Sequence, residues 1–137
     1  MFEPSIPSYE KLLEKTKNLI SLHSAAALLR WDMETMMPPK GIKIRSLQLA
    51  MLRRITHKLG TDPEIQHLIE KTKNHPDNDK LDLIDQRNLY LIQKNYDEQT
   101  QLPENLVVEI SKQEALTINI WKKAKASKNY PKFKPEL

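Results

Sequence analysis

The chain contains no cysteine and only two glycines, Gly41 and Gly60, in 137 residues. The first absence excludes disulfides, thiolate metal sites and a cysteine nucleophile. The second argues against an all-β chain, whose tight turns call on glycine repeatedly. It also excludes a glycine-rich phosphate loop or a dinucleotide fingerprint, because neither spacing can be assembled. The N-terminal MFEPSIPSYEKLLEK lacks a basic stretch followed by an apolar core, and so does not read as a secretory leader. No apolar run approaches the roughly 20 residues of a membrane span. The expectation is a soluble, cytoplasmic protein.

What is present points to a packed helical chain. Apolar residues make up 39% and charged residues 29%, a globular balance rather than a disordered one. The length suits a single helical domain over residues 1–137 and allows an independent core. The net charge of +4 is mild, and the signs mix along most of the chain, as on a solvated helical surface. The exception is a tail carrying Lys122, Lys123, Lys125, Lys128, Lys132 and Lys134. A nucleic-acid face would need stacking aromatics among these cations, and few are there. A solvated helix end, whose dipole favours cations, accounts for the cluster better.

Period and capping residues predict about five helices in an all-α arrangement of antiparallel hairpins. The first follows Pro7 with Ser8 as N-cap and ends before Pro38-Pro39. Its apolar positions include Tyr9, Leu12, Leu13, Ile20, Ala27 and Trp31. From Leu19 to Trp31 a second stripe joins, so this half is expected to be buried on much of its circumference. The second helix starts near Gly41, carries the stripe Ile44, Leu47, Met51, Ile55 and Leu59, and closes on Gly60 as a left-handed cap. Thr61-Asp62-Pro63-Glu64 restarts a short third helix. Asn74–Asp79 reads as a loop, with Asp79 capping a fourth helix that bears Leu81, Ile84, Leu91, Ile92 and Tyr96. Leu102-Pro103-Glu104 opens a fifth, with Val107, Ile110, Glu114, Thr117, Trp121 and Ala124 in register. The final NYPKFKPEL is expected to be extended.

Chemistry-bearing patterns are sparse. The histidines are His23, His57, His67 and His75; no two stand four apart and none is followed by glutamate, so the helical zinc-protease pattern is absent. His23 is expected among apolar neighbours and the other three on the surface or in loops. No G-x-S-x-G elbow occurs. Glu114 interrupts an apolar stripe, where it is expected at the edge, paired with a cation. The unusual stretch is Trp31-Asp32-Met33-Glu34-Thr35-Met36-Met37-Pro38-Pro39-Lys40-Gly41, followed by Arg45. It is a helix end, a double-proline turn and a helix start. Trp31 is expected in the core, Asp32 paired with Arg45 across the turn, and Thr35 bonded to freed backbone groups.

The run from Leu28 to Arg45 resembles the N-terminal signature of the M32 metallocarboxypeptidases, the carboxypeptidase Taq type. Trp31, Asp32, Thr35, Met37, Pro38, Gly41 and Arg45 match that signature in kind and spacing. Leu47–Leu59 fits the family's next helix. Asn95–Pro103 resembles its D-Y-x-x-x-T-x-L-P segment, and Trp121–Leu137 resembles the stretch leading into a further helix. The resemblance implies the N-terminal region of a larger, mostly helical, cytoplasmic zinc carboxypeptidase, typically a homodimer, that trims residues from peptide C-termini. In that family zinc polarises the scissile carbonyl and activates water, with a glutamate as general base. The H-E-x-x-H helix and third ligand lie downstream of the matched region, so no catalytic or metal residue is assigned in this chain and no cofactor is expected in it. The seven signature residues are read as structural, with a role in lining the substrate groove.

Three readings follow. The chain is an inactive N-terminal portion, a lid or groove wall, of a zinc carboxypeptidase, its ending at Phe133–Leu137 read as a truncation. Alternatively it is a stand-alone helical interaction module, or a basic helical nucleic-acid binder. The first implies the downstream catalytic region as partner and a peptide substrate only with that region present. It also implies an exposed apolar patch that self-association would cover.

Overall fold

The computed structural model describes residues 6–136, with the side chain of Glu136 left out. Among these residues there is no β-strand, and five α-helices follow one another. They are α1 (Pro7–Thr35), α2 (Ile42–Gly60), α3 (Pro63–Lys73), α4 (Leu83–Thr100) and α5 (Glu104–Ala126). The described chain falls into two compact units. Unit 1 comprises the chain up to His23 together with Thr56–Pro103; unit 2 comprises Ser24–Ile55 and the chain from Glu104 onward.

Proline and aspartate set the helix starts. Pro7 itself opens α1, where its missing N–H costs nothing. Ile6 supplies the first acceptor, taking bonds from the amides of Tyr9 (2.9 Å) and Glu10 (3.0 Å). Ser8 is therefore inside the helix and not its cap. It is buried, with its hydroxyl 2.8 Å from Oγ1 of Thr72 on α3. Asp62 caps α3 through Glu64 N at 2.9 Å, with Pro63 behind it. The cap of α4 is Asp82, which accepts from Asp85 N at 2.7 Å. Asp79 instead lies in a 3₁₀ turn, Asn78–Lys80, and the buried Leu81 adopts an extended conformation that hands the capping position to Asp82.

Gly60 ends α2 without a positive φ, and a methyl group built there would meet only Leu19 at 3.9 Å. Thr61 closes the helix instead, donating both its amide (2.9 Å) and its hydroxyl (2.8 Å) to the carbonyl of His57. The left-handed cap occurs at Lys128, with φ 52°. There the amides of Lys128 and Asn129 return to the carbonyls of Lys125 and Ala124, at 3.2 and 2.9 Å, closing α5 in a Schellman turn. The tail beyond is not extended but forms two 3₁₀ turns, Tyr130–Lys132 and Lys134–Glu136. Phe133 packs on Trp121 with ring centroids 5.0 Å apart.

The core of unit 1 joins Ile6, Tyr9 and Leu12 of the N-terminal segment to Ile65, Leu68 and Ile69 of α3 and to Leu81 and Leu89, with Leu13, Ile92 and Tyr96 against it. Two of its polar side chains are paired. The Tyr9 hydroxyl donates to the Asp85 carboxylate at 2.7 Å. His57, expected on the surface or in a loop, is buried, and its Nε2 lies 2.8 Å from the Leu102 carbonyl, which can only accept, so Nε2 is the donor. His23, expected to pack inside, is exposed, though it lines a cavity with Leu19, Ile20, Ile92 and Tyr96. The core of unit 2 is smaller: Met33, Leu49 and Ala115, flanked by Ala26, Leu29, Met37, Ile42 and Ile118.

The start of α3 in unit 1 makes stability pH-dependent. Lys15 bridges Asp62 (2.9 Å) and Glu64 (2.8 Å), and Lys11 also contacts Glu64. The bond from Lys15, then the amide of Glu64, holds the Asp62 carboxyl below its ordinary 3.8. Lys11, then Lys15, lowers Glu64 below 4.5. Burial, then the Asp85 hydrogen bond, pushes the Tyr9 phenol up to about 12. Bonds to Glu64, then Asp62, raise the Lys15 ammonium above 10.5. The depressed carboxylates contribute stability that is present above their unfolded values and lost as pH falls through the folded ones. The raised Tyr9 and Lys15 contribute below their unfolded values, and that contribution is lost as pH rises through the folded ones. Unit 1 is thus expected to show a stability plateau between about pH 5 and pH 9 that falls on both sides. Urea midpoints measured against pH by hydrogen exchange in α3 check this: Asp62→Asn should flatten the acid limb and Tyr9→Phe the alkaline limb.

Candidate functional site

Unit 2 carries the turn between α1 and α2. The double proline forbids helix beyond Thr35, and the break is completed by the Asp32 carbonyl, which accepts from both Met36 N (2.9 Å) and Met37 N (2.8 Å). Pro38 is extended (φ −59°, ψ 143°), and Pro39–Gly41 forms one 3₁₀ turn closed by Gly41 N to Pro38 O at 2.8 Å. Glycine is needed at 41 for space rather than for φ: a Cβ there would sit 3.1 Å from Cγ of Met37.

A helix end leaves four carbonyls without partners and a partial negative charge, yet α1 has no basic residue in its own last turn. Other helices supply the cations. Arg45 of α2, its side chain only 14% exposed, reaches Asp32 Oδ2 at 2.6 Å, donates to the Leu29 carbonyl, and bonds Gln48 Oε1 at 3.0 Å. Lys122 of α5 donates to the Met33 carbonyl at 2.8 Å. The Thr35 hydroxyl turns back to the Trp31 carbonyl at 2.7 Å. The expected Asp32–Arg45 pair and the backbone role of Thr35 are both present.

Of the seven signature residues, Asp32, Thr35, Met37, Gly41 and Arg45 hold this corner together by ion pair, hydrogen bond or close contact, and Pro38 sets its angle. Trp31 does not. Expected in the core, it is 61% exposed, because Met33, Leu29 and Ala26 form the inward face of this part of α1 and the indole lies on another side. The companion expectation, that the second half of α1 is buried on much of its circumference, fails for the same reason: Leu28 is 68% exposed.

Residues that pattern reading passed over matter here. Lys122 was legible only as one lysine of a basic tail. Behind the corner, Arg30, Met33, Leu49, Ser111, Glu114 and Ile118 line a cavity of about 570 Å³. Glu114 stands at its edge, exposed and 3.8 Å from Arg30, an edge carboxylate with a cation, as expected from the stripe it interrupts. Among the described residues no group of three His, Asp or Glu side chains is placed to hold a metal ion. Nor is any helix among them long and apolar enough to cross a membrane.

Comparison with known proteins extends the likeness over nearly the whole chain. A family model for the carboxypeptidase Taq (M32) metallopeptidases matches residues 11–137. The chain is 32% identical over 136 residues to thermostable carboxypeptidase 1 of Thermus thermophilus, and 27% identical over 128 residues to thermostable carboxypeptidase 1 of Pyrococcus furiosus. Those matches cover 95% and 93% of this chain but only 26% and 25% of the relatives. The chain therefore spans about a quarter of their length. A solved structure of the Pyrococcus furiosus carboxypeptidase superposes with a TM-score of 0.72 at 25% identity, over 98% of this chain and 27% of that one.

Proposed function

Because the chain belongs to the carboxypeptidase Taq (M32) metallopeptidase family, we propose that it forms the N-terminal wall or lid of the substrate groove of a cytoplasmic zinc carboxypeptidase that removes C-terminal residues from peptides. The family match over residues 11–137 carries this reading. The corner locked by Arg45 supports it, since it presents Trp31 and Leu28 outward from a braced helix end. An exposed indole on a rigid support suits contact with an extended peptide. The chain contains no H-E-x-x-H, so the metal and its general base belong to the region that the relatives carry beyond the matched quarter.

A chimera tests this. Residues 1–137 replace the matching quarter of the Thermus thermophilus relative, and zinc-dependent release of C-terminal amino acids from a peptide is assayed. Activity is expected in the chimera and not in the isolated chain. A folded, zinc-loaded chimera without activity would sink the proposal and leave the interaction-module reading in its place.

A further inference from the structure

The apolar stripe of α2 points away from its own unit. Ile44, Leu47, Met51 and Ile55 recur at spacings of three and four, the pattern of a buried helix face, yet they are 66, 62, 54 and 41% exposed. The inward face of α2 in this unit is made by Ser46, Leu49 and Ala50 instead. The stripe runs for about 16 Å along the helix, at 1.5 Å per residue. Beside it Leu29 of α1, with Leu47, Gln48, Met51 and Leu52, lines a shallow groove of about 460 Å³. A ridge of apolar side chains next to a groove is the surface that another helix packs on.

Charge narrows the occupant. Between Ile42 and Gly60 the sequence has Lys43, Arg45, Arg53, Arg54 and Lys58 and no Asp or Glu. At 100° per residue, Lys43 and Arg54 lie along one edge of the stripe, Arg54 standing 3.5 Å from Glu104 of α5 and Lys43 the cation of that edge left to meet an acid on the occupant. The relatives supply a source, since about three quarters of their length lies outside the match. We infer that the Ile44–Ile55 face is the docking surface for an amphipathic helix, acidic along one flank, belonging to the peptidase region that the relatives carry beyond the matched quarter. This rests on the proposed function and names the partner of the same unit.

The absence of cysteine makes the face directly measurable, because Met51→Cys places a single thiol on it. In the isolated chain at low concentration this thiol should react with a maleimide as an exposed group. In the chimera its rate should fall by about tenfold or more, and return when the chimera is unfolded in denaturant. Carbodiimide coupling from Lys43 should join α2 to an acidic residue of the docked helix. Equal labelling in chimera and isolated chain overturns the inference, whether or not the chimera is active, so its failure and that of the proposed function are read separately. Protection that appears in the isolated chain on raising its concentration, and not in the dilute chimera, also overturns it, making a second copy the occupant.

Discussion

Replacing Leu12 by alanine is expected to destabilise unit 1 by about 3 kcal/mol, a large share of the roughly 5–15 kcal/mol that holds a domain of this size folded. Leu12 has no exposed surface and sits in the core with Tyr9, Ile65, Leu68 and Ile69. Truncation removes three carbons from contact and leaves a void that tightly packed helices close only in part. Leu47 is a control of the same residue type in a similar helical pattern, 62% exposed. Leu47→Ala in the isolated chain should shift stability by no more than about 0.5 kcal/mol. Urea midpoints measure both, followed by hydrogen exchange in α3 for Leu12 in unit 1 and by tryptophan fluorescence for Leu47 in unit 2. A Leu12 variant that loses less than about 1 kcal/mol would mean that this core is not closely packed.

Arg45→Met is the second large effect, expected to cost unit 2 about 2 kcal/mol. The variant keeps an apolar stem but leaves three acceptors short of a donor: the Asp32 carboxylate, the Leu29 carbonyl and Gln48. Asp32 is 36% exposed, so water takes up part of its charge and the cost stays below that of a fully buried pair. Arg45→Lys should recover less than about half of the loss, because one ammonium cannot reproduce a planar fork that reaches several acceptors at once. Both tryptophans, Trp31 and Trp121, belong to unit 2, so fluorescence in urea follows this unit. Full rescue by lysine would show that charge alone, and not the geometry of the fork, holds the corner.

The corner itself was readable because its causes are local. Two consecutive prolines end a helix wherever they stand, and an acid before the turn with an arginine a few residues after it are brought together by chain length alone. Asp62-Pro63 was readable for the same reason. Asp79 was misread because two aspartates three residues apart are equal candidates until the burial of Leu81 decides between them. Ser8 and Gly60 were misread because proline can open a helix by itself, and a threonine hydroxyl can close one as a glycine does.

By itself the sequence determined the helices, their breaks, the Asp32–Arg45 corner and the family. Tertiary structure decided which faces are covered. Apolar periodicity marks a face that some neighbour will bury, but it does not say that the neighbour lies within these residues. The α2 stripe looks outward, while several buried positions inside the units are small or polar: Ser8, bonded to Thr72, in unit 1, and Ser46, Ser111 and Ala115 in unit 2. Such residues let helices approach closely, and they add little to a hydropathy pattern. Burial belongs to pairs of surfaces, and one chain pattern describes only one member of each pair.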